Sequence, residues 1–180
     1  MACLDLRGRS CLVVGGGRVA AEKAAGLLAC GAAVTVVAPA IDEEVRASTV
    51  TLVERRFVPS DLDGRFLVVA ATNNRRVNAA VSAEADHRSL LCNVADDPEL
   101  CSFILPALVR RDPIVVGVST GGASPALAQR IRDDIADLVQ PRHADLARRL
   151  QRLRPWAKRT FPTYEARRDY FRDVVARELA

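Results

Sequence analysis

Residues 12–24, LVVGGGRVAAEKA, constrain the fold more than any other stretch: an apolar run breaks into three glycines and then into small and charged residues suited to a helix. A strand that stops at a glycine cluster just before a helix leaves backbone N–H groups pointing at one spot. The positive end of the helix dipole lies there too, so the spot favours an anion. Gly15, Gly17 and Ala20 fit the pattern GxGxxA. In that pattern the first glycine makes the turn, the second lets a pyrophosphate approach the backbone, and the third small residue packs helix on strand. A strand before and a helix after is the context that dinucleotide binding requires; a tight turn without a ligand is the alternative. The acidic residue usual about 20 residues further on is missing, because Val36, Val37, Ala38 and Pro39 stand at the end of the second strand. Ribose recognition therefore falls to backbone groups or another segment, and NAD and NADP are both open.

Periodicity places strands over residues 10–14, 33–37, 51–55, 66–70 and 91–94, with helices over 19–29, 42–47 and 76–86 between them. This alternation implies an α/β fold with a doubly wound parallel sheet. Beyond Pro98 the rhythm changes. Residues 107–110 and 114–119 flank Arg111, Asp112 and Pro113 as a hairpin, with a helix left open for the first arm by periodicity alone. Ser124 as N-cap and Pro125 in the first turn then start a helix to about Val139, with Leu127, Ile131, Ile135 and Leu138 on one side. Pro141 ends it. Two further helices, 144–154 and 164–179, set off by Pro155 and Pro162, form a small helical end domain.

About half of the 180 residues are apolar, enough to bury a full core. No run approaches the ~20 apolar residues of a membrane span, and Asp5, Arg7 and Arg9 stand where a signal peptide needs apolar residues. A cytoplasmic protein with no membrane association is expected. Cys3, Cys11, Cys30, Cys92 and Cys101 form no CxxC pair and are odd in number, so they read as reduced small hydrophobes rather than disulfides or zinc ligands. His87 and His143 have no metal-ligand spacing to a partner, and no metal site is expected.

The charge is uneven. Residues 141–180 carry eleven Arg or Lys against five Asp or Glu, in a chain whose total is only +4. Nearly all of this charge is arginine, whose planar guanidinium suits carboxylate or phosphate. A solvated helix face has the same composition. Nucleic-acid binding is not expected, because Trp156, Phe161, Tyr164, Tyr170 and Phe171 are spaced as helix core.

The ordered segments GGGRVAAEKA (15–24), VTVVAP (34–39), AATNNRRVN (70–78), CNVADDP (92–98), SFILPALV (102–109) and VSTGGASPALA (118–128) resemble the successive motifs of precorrin-2 dehydrogenases, the N-terminal module of siroheme synthases and its free-standing relatives. The resemblance implies a Rossmann-type domain over 1–112, a dimerisation segment over 113–140, an arginine-rich helical domain over 141–180, and a homodimer. It implies oxidation of precorrin-2, a tetrapyrrole with eight carboxylates, to sirohydrochlorin with NAD as cofactor; some members also insert ferrous iron. A chain ending at residue 180 would lack the methyltransferase module of bifunctional relatives and receive precorrin-2 from a separate enzyme.

Carried across by motif, Gly15, Gly16, Gly17, Arg18 and Val19 would cradle the pyrophosphate. Pro39 and Ala40 would hold the adenosine side, and Ala71, Thr72 and Asn93 would complete the cofactor edge at strand ends. Thr120, Gly121 and Gly122 would approach the substrate, with threonine standing where the family often has serine. Asp96 would be the general base. Its alternative is a plain turn residue, with Asp97 as competitor. Two other functions stay in view: an NAD(P)-binding regulatory domain without catalysis, and a dehydrogenase of another acidic small molecule.

Overall fold

The structure, a computed structural model, describes residues 3–180, which divide into two compact units, one ending at Leu105 and the other running from Pro106 to Ala180. In the first unit, β1 (Ser10–Val14), β2 (Ala33–Val37), β3 (Thr51–Val53), β4 (Leu67–Ala70) and β5 (Leu91–Val94) form one parallel sheet in the order β3-β2-β1-β4-β5. Helices α1 (Arg18–Leu28), α2 (Glu43–Arg46) and α3 (Arg75–His87) connect them. Successive side chains of a strand face opposite sides of the sheet. Cys11 and Val13 accordingly join one core with Ala20, Ala24 and Leu27 of α1 and Val45 of α2, while Leu12 and Val14 join the other with Val81 and Ala85 of α3. Burial on both faces is why these strands read as unbroken apolar runs. Each such Val or Leu contributes roughly 1.5–3 kcal/mol.

The doubly wound sheet read from the sequence is thus observed. Strand addition reverses after β3, which puts β4 beside β1, and the crevice of an open α/β sheet lies at the carboxyl ends of the strands flanking that reversal. Strand β3 ends at Val53, short of the expected residue 55, because the Arg55 guanidinium is drawn to the nearly buried Asp61, at 2.6 and 2.8 Å.

In the second unit, β6 (Ala107–Arg111) and β7 (Ile114–Val118) pair as the expected hairpin, followed by α4 (Pro125–Leu138), α5 (Pro141–Thr160) and α6 (Tyr164–Glu178). A division at residue 112 would run through this hairpin, where Arg111 pairs with Ile114; the compact units divide at Leu105 and Pro106 instead. Helix α5 exceeds the expected 144–154 at both ends. Pro141 lies in its first turn, where no intrahelical N–H is needed, and Pro155 lies inside it. The helix carries on through Pro155 because the next two residues are anchored. Trp156 packs edge-on against Phe161 and Tyr170 at 5.7 and 5.5 Å, and Ala157 is fully buried.

The apolar side of α4 is not covered within the chain. Leu127, Ile131 and Leu138 are exposed, Leu138 by 72%, as is Val115 of β7. Among the described residues no helix is long and apolar enough to cross a membrane. All five cysteines are free thiols, and burial pushes those of Cys11 and Cys92 up to about 11.

Candidate functional site

A cleft of about 980 Å³ opens in the first unit where β1, β2 and β4 end and α1 begins. The turn between β1 and α1 is built by close backbone approach. Gly15, at φ +131°, lies so near the end of β4 that a Cβ would come within 2.3 Å of the Ala71 carbonyl oxygen; a Cβ on Gly16 would come within 2.0 Å of the Ala40 carbonyl oxygen. The Asp42 amide donates to the Gly16 carbonyl at 2.8 Å, tying the loop after β2 to the glycine turn. Gly17 differs: its missing Cβ would meet only Asp42 Oδ2, at 3.7 Å. Two glycines therefore serve packing, and the third leaves open space over the start of α1.

That helix start suits an anion. Gly17 is its N-cap and supplies no side-chain hydrogen bond, and its first turn holds no acidic residue, so the amides that every α-helix leaves unpaired at this end stay available. Three arginines, Arg18, Arg56 and Arg76, line the cleft, and none has a carboxylate partner among the described residues. The residues present fit the diphosphate of a dinucleotide.

Of the residues singled out from the sequence, Gly15, Gly16, Gly17, Arg18, Val19, Pro39, Ala40, Ala71, Thr72 and Asp96 meet in this one cleft. Asn93 is not among its lining residues. It is buried in β5, and its amide donates to the Phe103 carbonyl at 3.0 Å, fastening the segment after β5 rather than facing a ligand. Thr120, Gly121 and Gly122 belong to the second unit. The Thr120 hydroxyl accepts the Ser124 N–H at 3.0 Å and donates to the Ser124 carbonyl at 3.1 Å, so it shapes the turn into α4. Gly121 and Gly122 are left-handed, with open space where a Cβ would be.

Asp96 and Asp97 are separated by their surroundings. Asp97 Oδ2 accepts from Arg75 Nε at 3.2 Å, and the Asp97 carbonyl accepts the Leu100 amide. Asp96, exposed at φ +61° just beyond β5, has no ion pair among the described residues and lines the cleft.

Sequence reasoning missed Asn78 and the pair Arg56 and Phe57. Asn78 is nearly buried in α3; its Oδ1 accepts from the Thr72 hydroxyl at 2.6 Å and its amide donates to the Thr72 carbonyl at 3.0 Å, fixing the loop that closes one side of the cleft. Its signal was the segment TNNRRVN, in which Asn74 caps α3 through the Arg76 and Val77 amides. Arg56 and Phe57 reach the cleft only because the chain bends after β3.

Residues 2–107 match the family described as "Putative NAD(P)-binding", and residues 111–138 match the family described as "Sirohaem biosynthesis protein central". The chain is 43% identical over 178 residues to the siroheme synthase of Methylobacillus flagellatus, covering 95% of this chain and 38% of that protein. With the siroheme synthase of Chromobacterium violaceum it shares 42% identity over 185 residues, 98% of this chain and 38% of the other. The chain thus spans under two fifths of the length of these curated relatives. Among solved structures, SirC, a precorrin-2 dehydrogenase, superposes with a TM-score of 0.83 at 30% identity, covering 100% of this chain and 92% of that one.

Proposed function

The chain belongs to the precorrin-2 dehydrogenase family of siroheme biosynthesis proteins, and on that premise we propose that it oxidises precorrin-2 to sirohydrochlorin with NAD. The observation that carries this reading is the position of an uncommitted carboxylate, Asp96, on the same cleft as an uncapped, glycine-built helix start. The amides at the start of α1 bind the diphosphate, with Arg18 beside them; Pro39, Ala40, Arg56 and Phe57 line the adenosine side; Ala71 and Thr72, braced by Asn78, border the nicotinamide side. When bound, NAD supplies the acceptor for the hydride that the substrate loses. The accompanying proton passes to Asp96, acting as general base. Residues 120–122, which shape a turn of the second unit, are assigned to substrate contact by their motif alone.

The proposed form is a cytoplasmic homodimer. Cysteines held as thiols fit a reducing compartment, and the uncovered apolar residues of α4 fall within residues 113–140, the proposed dimerisation segment.

The test is anaerobic incubation of the purified chain with precorrin-2 and NAD, followed by NADH absorbance. Turnover is expected, and Asp96→Asn should reduce it by roughly 10²–10⁴-fold while leaving NAD affinity and thermal stability intact. Asparagine is the informative replacement because it tolerates a left-handed backbone. Absence of turnover in the unaltered protein would overturn the activity; full turnover in the variant would remove Asp96 from it.

A further inference from the structure

Helices α5 and α6 border a second cavity, of about 970 Å³, open to solvent and formed entirely within the second unit. Five cations line it: Arg154, Lys158, Arg167, Arg168 and Arg172. No acidic side chain does. Of the acids of the same helix pair, Asp145 pairs with Arg148 and Glu178 with Arg149, neither arginine lining the cavity, and Asp169 pairs with the lining Arg168. Arg154, Lys158 and Arg172 have no carboxylate partner among the described residues. Concentrating unpaired like charges around one concavity raises the free energy of the protein alone and lowers it when an anion enters.

The cavity is not merely basic. Pro155, Tyr164, Phe171 and Val175 give it an apolar floor. One residue of that floor is anchored: Phe171 stacks edge-on with Tyr170 at 5.4 Å and Tyr170 packs on Phe161 at 5.1 Å, while Arg167 donates to the Phe161 and Pro162 carbonyls at 2.7 and 3.0 Å at the corner between the helices. Inorganic phosphate would use the cations and leave the floor idle. A ligand that uses both has an apolar body with several carboxylates at its edge, and the volume lies at the upper end of small-molecule sites.

We propose that the α5–α6 cavity is a binding site for an amphipathic polycarboxylate, the cations engaging its carboxylates and the apolar floor its body. That the physiological occupant is a carboxylated tetrapyrrole rests on the proposed function; the ligand class itself rests on the cavity.

Lys158 makes the site directly readable, because Lys23, which pairs with Glu22 in the first unit, is the only other lysine. Uroporphyrin, a stable tetrapyrrole with eight carboxylates, should protect Lys158 of the full chain from acetylation, measured by mass spectrometry, and leave Lys23 unprotected. Arg154→Ala/Lys158→Ala/Arg172→Ala should weaken uroporphyrin binding at least tenfold by fluorescence titration, with NAD affinity unchanged. Affinity of the unaltered chain should fall with added salt, and inorganic phosphate should not compete at equal concentration. Unprotected Lys158, or equal binding by the variant, would overturn the proposal, whether or not precorrin-2 is turned over. Tighter binding of an oligoglutamate or single-stranded RNA than of uroporphyrin would also overturn it, in favour of a macromolecular partner. Absence of precorrin-2 turnover with Lys158 protected would remove the proposed activity and leave the site standing.

Discussion

The glycines of the first turn do different work, and the difference can be measured. An alanine at position 16 would drive its Cβ to 2.0 Å from the Ala40 carbonyl oxygen and 3.0 Å from the Ala38 Cβ, so the loop after β2 must move. Gly16→Ala should lower stability by about 1–3 kcal/mol, read by chemical denaturation. An alanine at position 17 meets only ordinary contact, yet covers the space above the α1 amides. Gly17→Ala should therefore cost no more than about 1 kcal/mol of stability, the difference between a glycine and an alanine N-cap, and lose roughly tenfold or more in NAD affinity by calorimetry, about 1.4 kcal/mol. Unchanged affinity in that variant would remove the diphosphate from the α1 start. The glycine pattern was legible in the sequence because its constraints are local: strand, turn and helix follow within a dozen residues. Asn93 was misleading for the complementary reason. A strand end is an edge that ligands use, but β5 is at the margin of the sheet, and a carbonyl ten residues on takes the Asn93 amide.

At the scale of elements, the crossing from β3 to β4 depends on one ion pair. The Arg55 guanidinium bonds both carboxylate oxygens of Asp61, and the Val58 amide adds a bond at 2.9 Å. Foremost through the Arg55 hydrogen bonds, the Asp61 carboxyl is held below its ordinary value of 3.8. The folded value lies below the unfolded one, so the pair's contribution is complete above about pH 4 and is lost as pH falls through the folded value. Asp61→Asn should cost about 1–3 kcal/mol near neutrality, and the gap between the two proteins should narrow as denaturation is followed to lower pH. A gap constant across that range would dissociate the carboxylate from acid stability. Neither the pair nor the shortening of β3 was legible in the sequence, since residues six apart meet only once the chain has turned. Helix α5 shows the opposite limit. Proline is read from a sequence as a boundary, and Pro155 is interior because the packing of Trp156 and Ala157 outweighs the loss of one backbone hydrogen bond.

At the scale of the molecule, the 3.6-residue spacing of Leu127, Ile131, Ile135 and Leu138 marked an apolar helix side, but periodicity cannot tell whether that side is covered by the same chain or by another. Leu127, Ile131 and Leu138 remain exposed on the same helix whose Ala128 is buried, and Val115 of the hairpin is 53% exposed. A two-fold contact would bury this surface against its own copy, and a self-complementary patch closes after two chains. Such a dimer should persist at micromolar concentration in sedimentation equilibrium. Ile131→Asp would set a carboxylate from each protomer into an apolar interface, where desolvation of an unpaired charge costs several kcal/mol. Because Ile131 is already 37% exposed in the single chain, the same change should leave helical content and the NAD affinity of the first unit as they were. The variant is therefore expected to sediment as a folded monomer that binds NAD. A folded variant that stays dimeric would shift the contact away from α4, and an unaltered protein that is monomeric at that concentration would leave the exposed helix side without a role in self-association.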